Sequence, residues 1–178
     1  MKIFLLFFLF LFLSASLMGG TINPPQKMKV IILDGRNGAK VSGGTFSTKE
    51  LVGKVHCLFY ADPDEKDLNE EASQALDKEK FPLDKYLTYG IINMQATWMP
   101  NFLIGEALKA KQRKYPDAHF IKDYEKVFVK EWNLLDHSNA IMVFNQLGER
   151  VFYVEGKLTK SQTDEMIALI WSLLGKKS

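Results

Sequence analysis

Asp136, His137 and Ser138 stand side by side and supply all three residue types of a hydrolytic triad. A working triad draws its nucleophile, base and orienting carboxylate from separate segments, so three neighbours in one loop cannot line up. A solvated turn is the expectation there. A second cluster is acidic, with Asp62, Asp64, Glu65 and Asp67 close together. Carboxylates of this kind suit a hard cation, but a calcium loop needs acids at its first, third and fifth positions, then a glycine and a late glutamate. Counted from Asp62, the fifth place is Lys66 and the next Asp67, while Glu70 and Glu71 arrive too early. The simpler expectation is that Asp62 or Asp64 caps a helix whose positive end the other acids favour. No glycine loop for phosphates and no His/Cys metal spacing occurs in the sequence, so no cofactor is expected.

Cys57 is the single cysteine, in the apolar run Val55 to Tyr60. Burial in a strand keeps a thiol protonated and unreactive. His56 is adjacent, but successive strand residues face opposite ways, so the two form no dyad. Lys109, Lys111, Arg113 and Lys114 read as partners of a helix C-terminus and a solvated face rather than a nucleic-acid patch. Trp98, Met99, Pro100 and Phe102 form an aromatic group at a helix start. Such a group either edges a partner groove or packs inward, and inward packing is the commoner outcome.

These residues need elements to hold them. Asn23-Pro24-Pro25 reads as a tether, Met28 to Leu33 as a short strand, and Gly38, Gly43 and Gly44 punctuate a hairpin-like entry to Phe46. Lys54 to Tyr60 is the clearest strand, with Val55, Cys57 and Phe59 on one face and Leu58 and Tyr60 on the other. Apolar residues on both faces mark a central strand covered on both sides. The spacing of Leu68, Ala72, Ala75 and Leu76 predicts a helix over Asp64 to Lys80. Leu87 to Asn93 is a second strand. The helix after Pro100 has Phe102, Leu103, Ala107, Leu108 and Ala110 on its inner side. His119 to Ile121 is a short extended piece and Tyr124 to Trp132 a short helix. Ala140 to Phe144 and Val151 to Val154 form a hairpin, and Thr159 caps a last helix reaching Leu174.

The first 20 residues stand apart. Lys2 precedes eleven uninterrupted apolar residues, Ile3 to Leu13, and then small residues. This describes a secretory signal peptide, with retention as an inner-membrane anchor facing the periplasm as the alternative. Residues 21–178 then form one domain, its core about 46–175, large enough for a real core. Lys2 is the one charged residue of the leader, so its loss takes the net charge from +2 to +1. A protein so nearly neutral has no broad field to draw nucleic acid, and none is expected as a partner. The mature chain is expected to carry no membrane span.

A βαβ unit followed by a ββα unit is the thioredoxin plan, an α/β fold with a mixed central sheet flanked by helices, here with an N-terminal β extension. Leu51-Val52-Gly53-Lys54-Val55 and Phe144-Asn145-Gln146-Leu147-Gly148-Glu149-Arg150-Val151 resemble thioredoxin-like periplasmic proteins. More narrowly, the first of these stretches, the helix reaching Lys114-Tyr115-Pro116, and Gly156-Lys157-Leu158-Thr159 resemble the YtfJ-type family of secreted bacterial proteins. The resemblance implies a location and a fold rather than a reaction. In that frame Asp64, Glu65, Lys66 and Asp67 fill the places of the redox Cys-x-x-C, and Asn139 fills the place of the cis-proline. Both halves of a thiol–disulfide apparatus are missing.

The expectation is therefore a periplasmic thioredoxin-fold protein without thiol redox activity. It would bind an unidentified periplasmic protein or peptide through a surface of Asp62, Asp64, Glu65, Asp67, His137, Ser138 and Asn139. The alternative is a hydrolase or metal-assisted enzyme built from Asp64, Glu65, Lys66 and His137. It requires His137 to meet an acid of the 62–67 loop in a concave pocket.

Overall fold

A computed structural model describes residues 22–175. The leader lies outside the described residues. The elements in chain order are β1 (Ile22–Lys27), β2 (Ile32–Leu33), β3 (Gly38–Lys40), β4 (Phe46–Ser47) and β5 (Val55–Ala61). They continue with α1 (Glu70–Lys78), β6 (Tyr86–Asn93), α2 (Asn101–Lys114), β7 (Ala118–Asp123) and α3 (Val127–Trp132). The chain closes through β8 (Ala140–Phe144), β9 (Glu149–Glu155) and α4 (Lys160–Leu173).

One sheet of seven strands runs in the order β1-β9-β8-β5-β6-β7-β3, and β2 pairs with β4 in a separate ribbon. The neighbours β5, β6 and β7 are parallel and the other pairs antiparallel. The strand β5 is central, and its two faces feed two cores as its sequence predicts. Leu58 and Tyr60 join Phe46, Leu51, Phe128 and Trp132 on one side. Val55 and Cys57 join Ala72 and Leu76 of α1 and Met166 and Ile170 of α4 on the other.

Several segments differ from the sequence expectation. Asn23-Pro24-Pro25 is part of β1, which lies along β9 as an edge strand, rather than a tether. Its register shifts between Ile22 and Gln26, where the two prolines have no N–H to offer a ladder. Of the expected strand Met28 to Leu33, only Ile32–Leu33 pairs, with Phe46–Ser47. The piece around His119 is a full strand beside β6. The expected helix from Asp64 begins only at Glu70. Pro63–Glu65 is a single 3-10 turn capped by Asp62, and Asn69 spends its side chain elsewhere. Its amide donates to the Gly156 carbonyl (2.9 Å) and its oxygen accepts from Leu158 N–H (2.8 Å), tying the start of α1 to the β9–α4 connection. At the other end of the chain the expected cap is present: Thr159 and Gln162 form a reciprocal capping box at α4.

The helix α2 is held to the sheet by few side chains. Only Ile104 and Leu108 of this helix are buried, against Met94 and Phe120. Phe120 lies over Gly90, where a Cβ would sit 2.9 Å from the ring, so glycine makes room for the residue that carries α2. Gln112 fastens the helix end, accepting from Phe120 N–H (3.1 Å) and donating to the Ala118 carbonyl (2.6 Å). Phe102, Leu103, Ala107 and Ala110 face solvent, so the inner side differs from the one expected.

Candidate functional site

The parallel strands β5, β6 and β7 end together, and a polar cluster forms there. Ligand sites of open α/β sheets lie at this end of the strands. Asp62 follows β5 and is 2% exposed. One of its carboxylate oxygens accepts from Asp64 N–H (2.8 Å), and the other lies 3.5 Å from His137 Nδ1. The backbone N–H of Asp62 donates to the Ser138 carbonyl (3.3 Å) and to Asn139 Oδ1 (3.1 Å). Asn139 then donates through Nδ2 to the Glu65 carbonyl at 2.7 Å. The Asn139 amide thus bonds the 62–67 loop at two points, beside the Asp62–Ser138 backbone bond.

His137 itself is exposed and sits at φ +53°, in the left-handed region that non-glycine residues seldom occupy. Its Nε2 lies 3.8 Å from Asp136. Asp136 is held in place by Asn93, which closes β6 (3.2 Å), and by Lys126 (2.6 Å). Partial burial raises the Asp136 carboxyl pKa. The Lys126 hydrogen bond, the His137 backbone N–H and the nearby positive charge outweigh that and hold it below the ordinary value. Beneath lies Asp123 at the end of β7, fully buried. It accepts from Tyr60 OH (3.2 Å) and from the N–H groups of Glu125, Val127 and Phe128. Burial, followed by the negative charge of Asp123, raises the Tyr60 phenol pKa, so it stays a donor.

The sequence-derived residues therefore divide. Asp62, His137, Ser138 and Asn139 come together, with Asp136 beside them. Asp64 turns the other way and accepts from Thr97 Oγ1 at 2.8 Å. Glu65 contributes its backbone carbonyl, and the side chains of Glu65, Lys66 and Asp67 are exposed. The expected approach of His137 to Asp64 or Glu65 is replaced by its approach to Asp62 and Asp136. The Ser138 hydroxyl points to the Asn139 carbonyl (3.5 Å) rather than to the imidazole, so Asp136-His137-Ser138 makes no triad. Among the described residues no group of three or more His, Cys, Asp or Glu is placed to hold a metal ion. A cleft of about 200 Å³ lies at the opposite end of β5, beside Leu51, Val52 and Phe144. It is smaller than ordinary ligand pockets and shares no residue with the polar cluster.

Cys57 is buried, and burial pushes its thiol up to about 12, against a smaller opposing effect of the Tyr86 hydroxyl. His56 lies across the sheet from it, its ring 5.6 Å from that of Tyr89.

What sequence reasoning misplaces is the aromatic group before α2. Trp98 is 90% exposed and Phe102 69%, and Met99 and Leu103 are exposed next to them in the chain. The sequence favours inward packing, and the structure turns the group outward. Thr97 joins this surface to the polar cluster, because the hydroxyl that donates to Asp64 also accepts from Met99 N–H (3.1 Å). Leu135, two residues before His137, is exposed as well. Pro100 marks the helix start, but Leu103, Ala107 and Ala110 share a helical spacing as good as that of Ile104 and Leu108, so periodicity does not choose the buried side.

A central β5 flanked by parallel β6 and antiparallel β8, with α1 and α4 on one face, defines a thioredoxin-like protein without the cysteine pair. Solved structures agree on the fold. A thiol-disulfide isomerase from Corynebacterium glutamicum superposes with a TM-score of 0.59 at 15% identity, covering 86% of this chain and 97% of its own. BsSco, a member of the Sco family of cytochrome c oxidase assembly proteins, superposes with a TM-score of 0.59 at 13% identity, covering 88% and 99%. The chain belongs to the YtfJ_HI0045 family of bacterial proteins of unknown function, whose pattern matches residues 30–173. It is 28% identical over 133 residues to the uncharacterized protein YtfJ of Escherichia coli K12, covering 73% of this chain and 72% of that one.

Proposed function

We propose that this protein is an exported, periplasmic binding module that uses the thioredoxin frame to recognise a protein or peptide and performs no thiol–disulfide exchange. The observation that carries the reading is the outward-facing group Trp98, Met99, Phe102 and Leu103, joined through Thr97 to the polar cluster. Large apolar side chains exposed together at a rim of polar groups mark interaction surfaces, and tryptophan is prominent among the residues that dominate binding energy. The apolar leader supports the location. One buried cysteine leaves no pair to cycle between dithiol and disulfide.

The test is capture of partners from a periplasmic fraction with the exported protein. It is run beside Trp98→Ala/Phe102→Ala and beside Asp64→Ala/Glu65→Ala/His137→Ala. Loss of partners from the first variant is expected. Equal recovery by all three proteins would show that the partner binds elsewhere.

A further inference from the structure

Charge distribution around Trp98 says more about what it meets. Between residues 62 and 71 the chain carries Asp62, Asp64, Glu65, Asp67, Glu70 and Glu71 against the single Lys66. Among the described residues none of these six carboxylates pairs with a lysine or arginine; Asp62 faces the imidazole of His137 and accepts from Asp64 N–H. Elsewhere several acids are paired: Asp34 with Arg36, Glu50 with Lys40, Glu106 with Lys109, Glu131 with Lys29 and Asp136 with Lys126. Among the described residues the acids of 62–71, of which Asp64 is bonded to Thr97 next to the exposed tryptophan, stand without such compensation.

Asp64 is held next to the segment that carries the apolar residues by the Thr97–Asp64 hydrogen bond. The basic end of α2, Lys109 to Lys114, lies toward the far end of a helix about 20 Å long. The exposed apolar segment is therefore joined to the acidic loop at one end of the surface, and cations gather at the other.

We infer that the face formed by residues 97–103 and the acidic loop docks a segment of another protein that sets an aliphatic or aromatic anchor against Trp98 and Phe102 and a lysine or arginine against Asp64 and Glu65. This rests on the binding-module reading and specifies the partner's chemistry. An incoming cation gains the field of several carboxylates that no internal cation has neutralised, and complementary charge both speeds encounter and rejects wrong partners. Apolar anchors then supply the desolvation that holds the complex. An anionic lipid surface would also accept Trp98, but the acidic loop next to it would be repelled.

The inference is tested with the full-length protein and synthetic probes, using Trp98 fluorescence and heat of binding. The probes are a short peptide alternating leucine and lysine, one alternating leucine and glutamate, one alternating serine and lysine, and phosphatidylglycerol vesicles. The leucine–lysine peptide is expected to bind at least about tenfold tighter than either other peptide and to weaken as salt screens the loop. Asp64→Asn/Glu65→Gln/Asp67→Asn, which keeps shape and removes charge, should erase the preference over leucine–glutamate. Trp98→Ala/Phe102→Ala should lower leucine–lysine affinity by about tenfold or more. Equal binding of the two leucine peptides would overturn the charge selection and leave the binding-module reading standing. Binding that ignores the Trp98/Phe102 change would overturn both. Vesicle binding tighter than any peptide, and dependent on Trp98, would make the surface a lipid contact and overturn the protein segment as its occupant.

Discussion

The side chain of Asn139 reaches the backbone of Asp62 across the gap between two loops, accepting from its N–H at 3.1 Å. The same amide donates to the Glu65 carbonyl at 2.7 Å. Two backbone groups thus bond to one side chain, and the Asp62 N–H is shared with the Ser138 carbonyl. Replacing Asn139 by alanine should lower stability by about 2 kcal/mol, since each lost buried hydrogen bond costs on the order of 1 kcal/mol. A urea titration should show a lower midpoint at unchanged slope. An unmoved midpoint would mean that the loops hold their shape without this amide.

His56 makes the fold sensitive to acid. It is 1% exposed on β5 with its Nδ1 lacking a hydrogen-bond partner. Burial first, and the Lys54 charge after it, pull its pKa down from 6.5 to about 4, against a partial opposing pull from backbone hydrogen bonds. The unfolded chain takes up this proton near pH 6.5 and the folded chain only near pH 4. Stability is therefore complete above pH 6.5 and is lost as the pH falls toward 4, by about 3 kcal/mol in all. Half-buried His119 is lowered too, mainly by burial, and adds in the same direction. The gap between unfolding midpoints at pH 7 and pH 4.5 should narrow markedly in His56→Leu, leaving the smaller part that belongs to His119. A wild-type gap retained by that variant would place the acid sensitivity elsewhere.

Cys57 should resist modification while the chain is folded. With the thiol pushed up to about 12 and shielded from solvent, iodoacetamide should label it only after urea is added. Prompt labelling of the native protein would contradict the buried placement.

Asp123 carries more of the fold than any acid of the 62–67 loop. Its alanine variant strands the Tyr60 hydroxyl and three backbone N–H groups, a loss of about 3 kcal/mol or more. Trp98→Ala, by contrast, should change stability by no more than about 0.5 kcal/mol and remove most of the acrylamide-quenchable fluorescence. Comparable loss of stability in the two variants would refute this contrast between support and surface.

Much of this fold is legible in the chain because its signals are local. The alternation in Val55 to Tyr60 fixes both faces of the central strand, and Thr159 with Gln162 fixes the start of α4. Element order gives the thioredoxin plan. What escapes is set by distant partners. Nothing near Asn23-Pro24-Pro25 reveals that β9 waits to pair with it, and proline argues against a strand there. The late start of α1 depends on Asn69 reaching Gly156 and Leu158, residues from the far end of the chain. At the site, the closeness of the 62–67 and 136–139 loops follows from the fold, but no local pattern records that His137, at its left-handed backbone angle, approaches Asp62 rather than Asp64. The exposure of Trp98 depends on how few side chains seat α2, which no periodicity around Trp98 records.

That backbone angle also limits which residues the site can accept. Position 137 is left-handed, a conformation open to glycine, asparagine, aspartate and histidine and hostile to β-branched side chains. Lys126, which grips Asp136, is left-handed as well. Change at these two places is thus filtered by geometry before chemistry is tried. Relatives that alter the polar cluster should do so from a short alphabet, and a valine at 137 would fail in the backbone before its lost imidazole could matter.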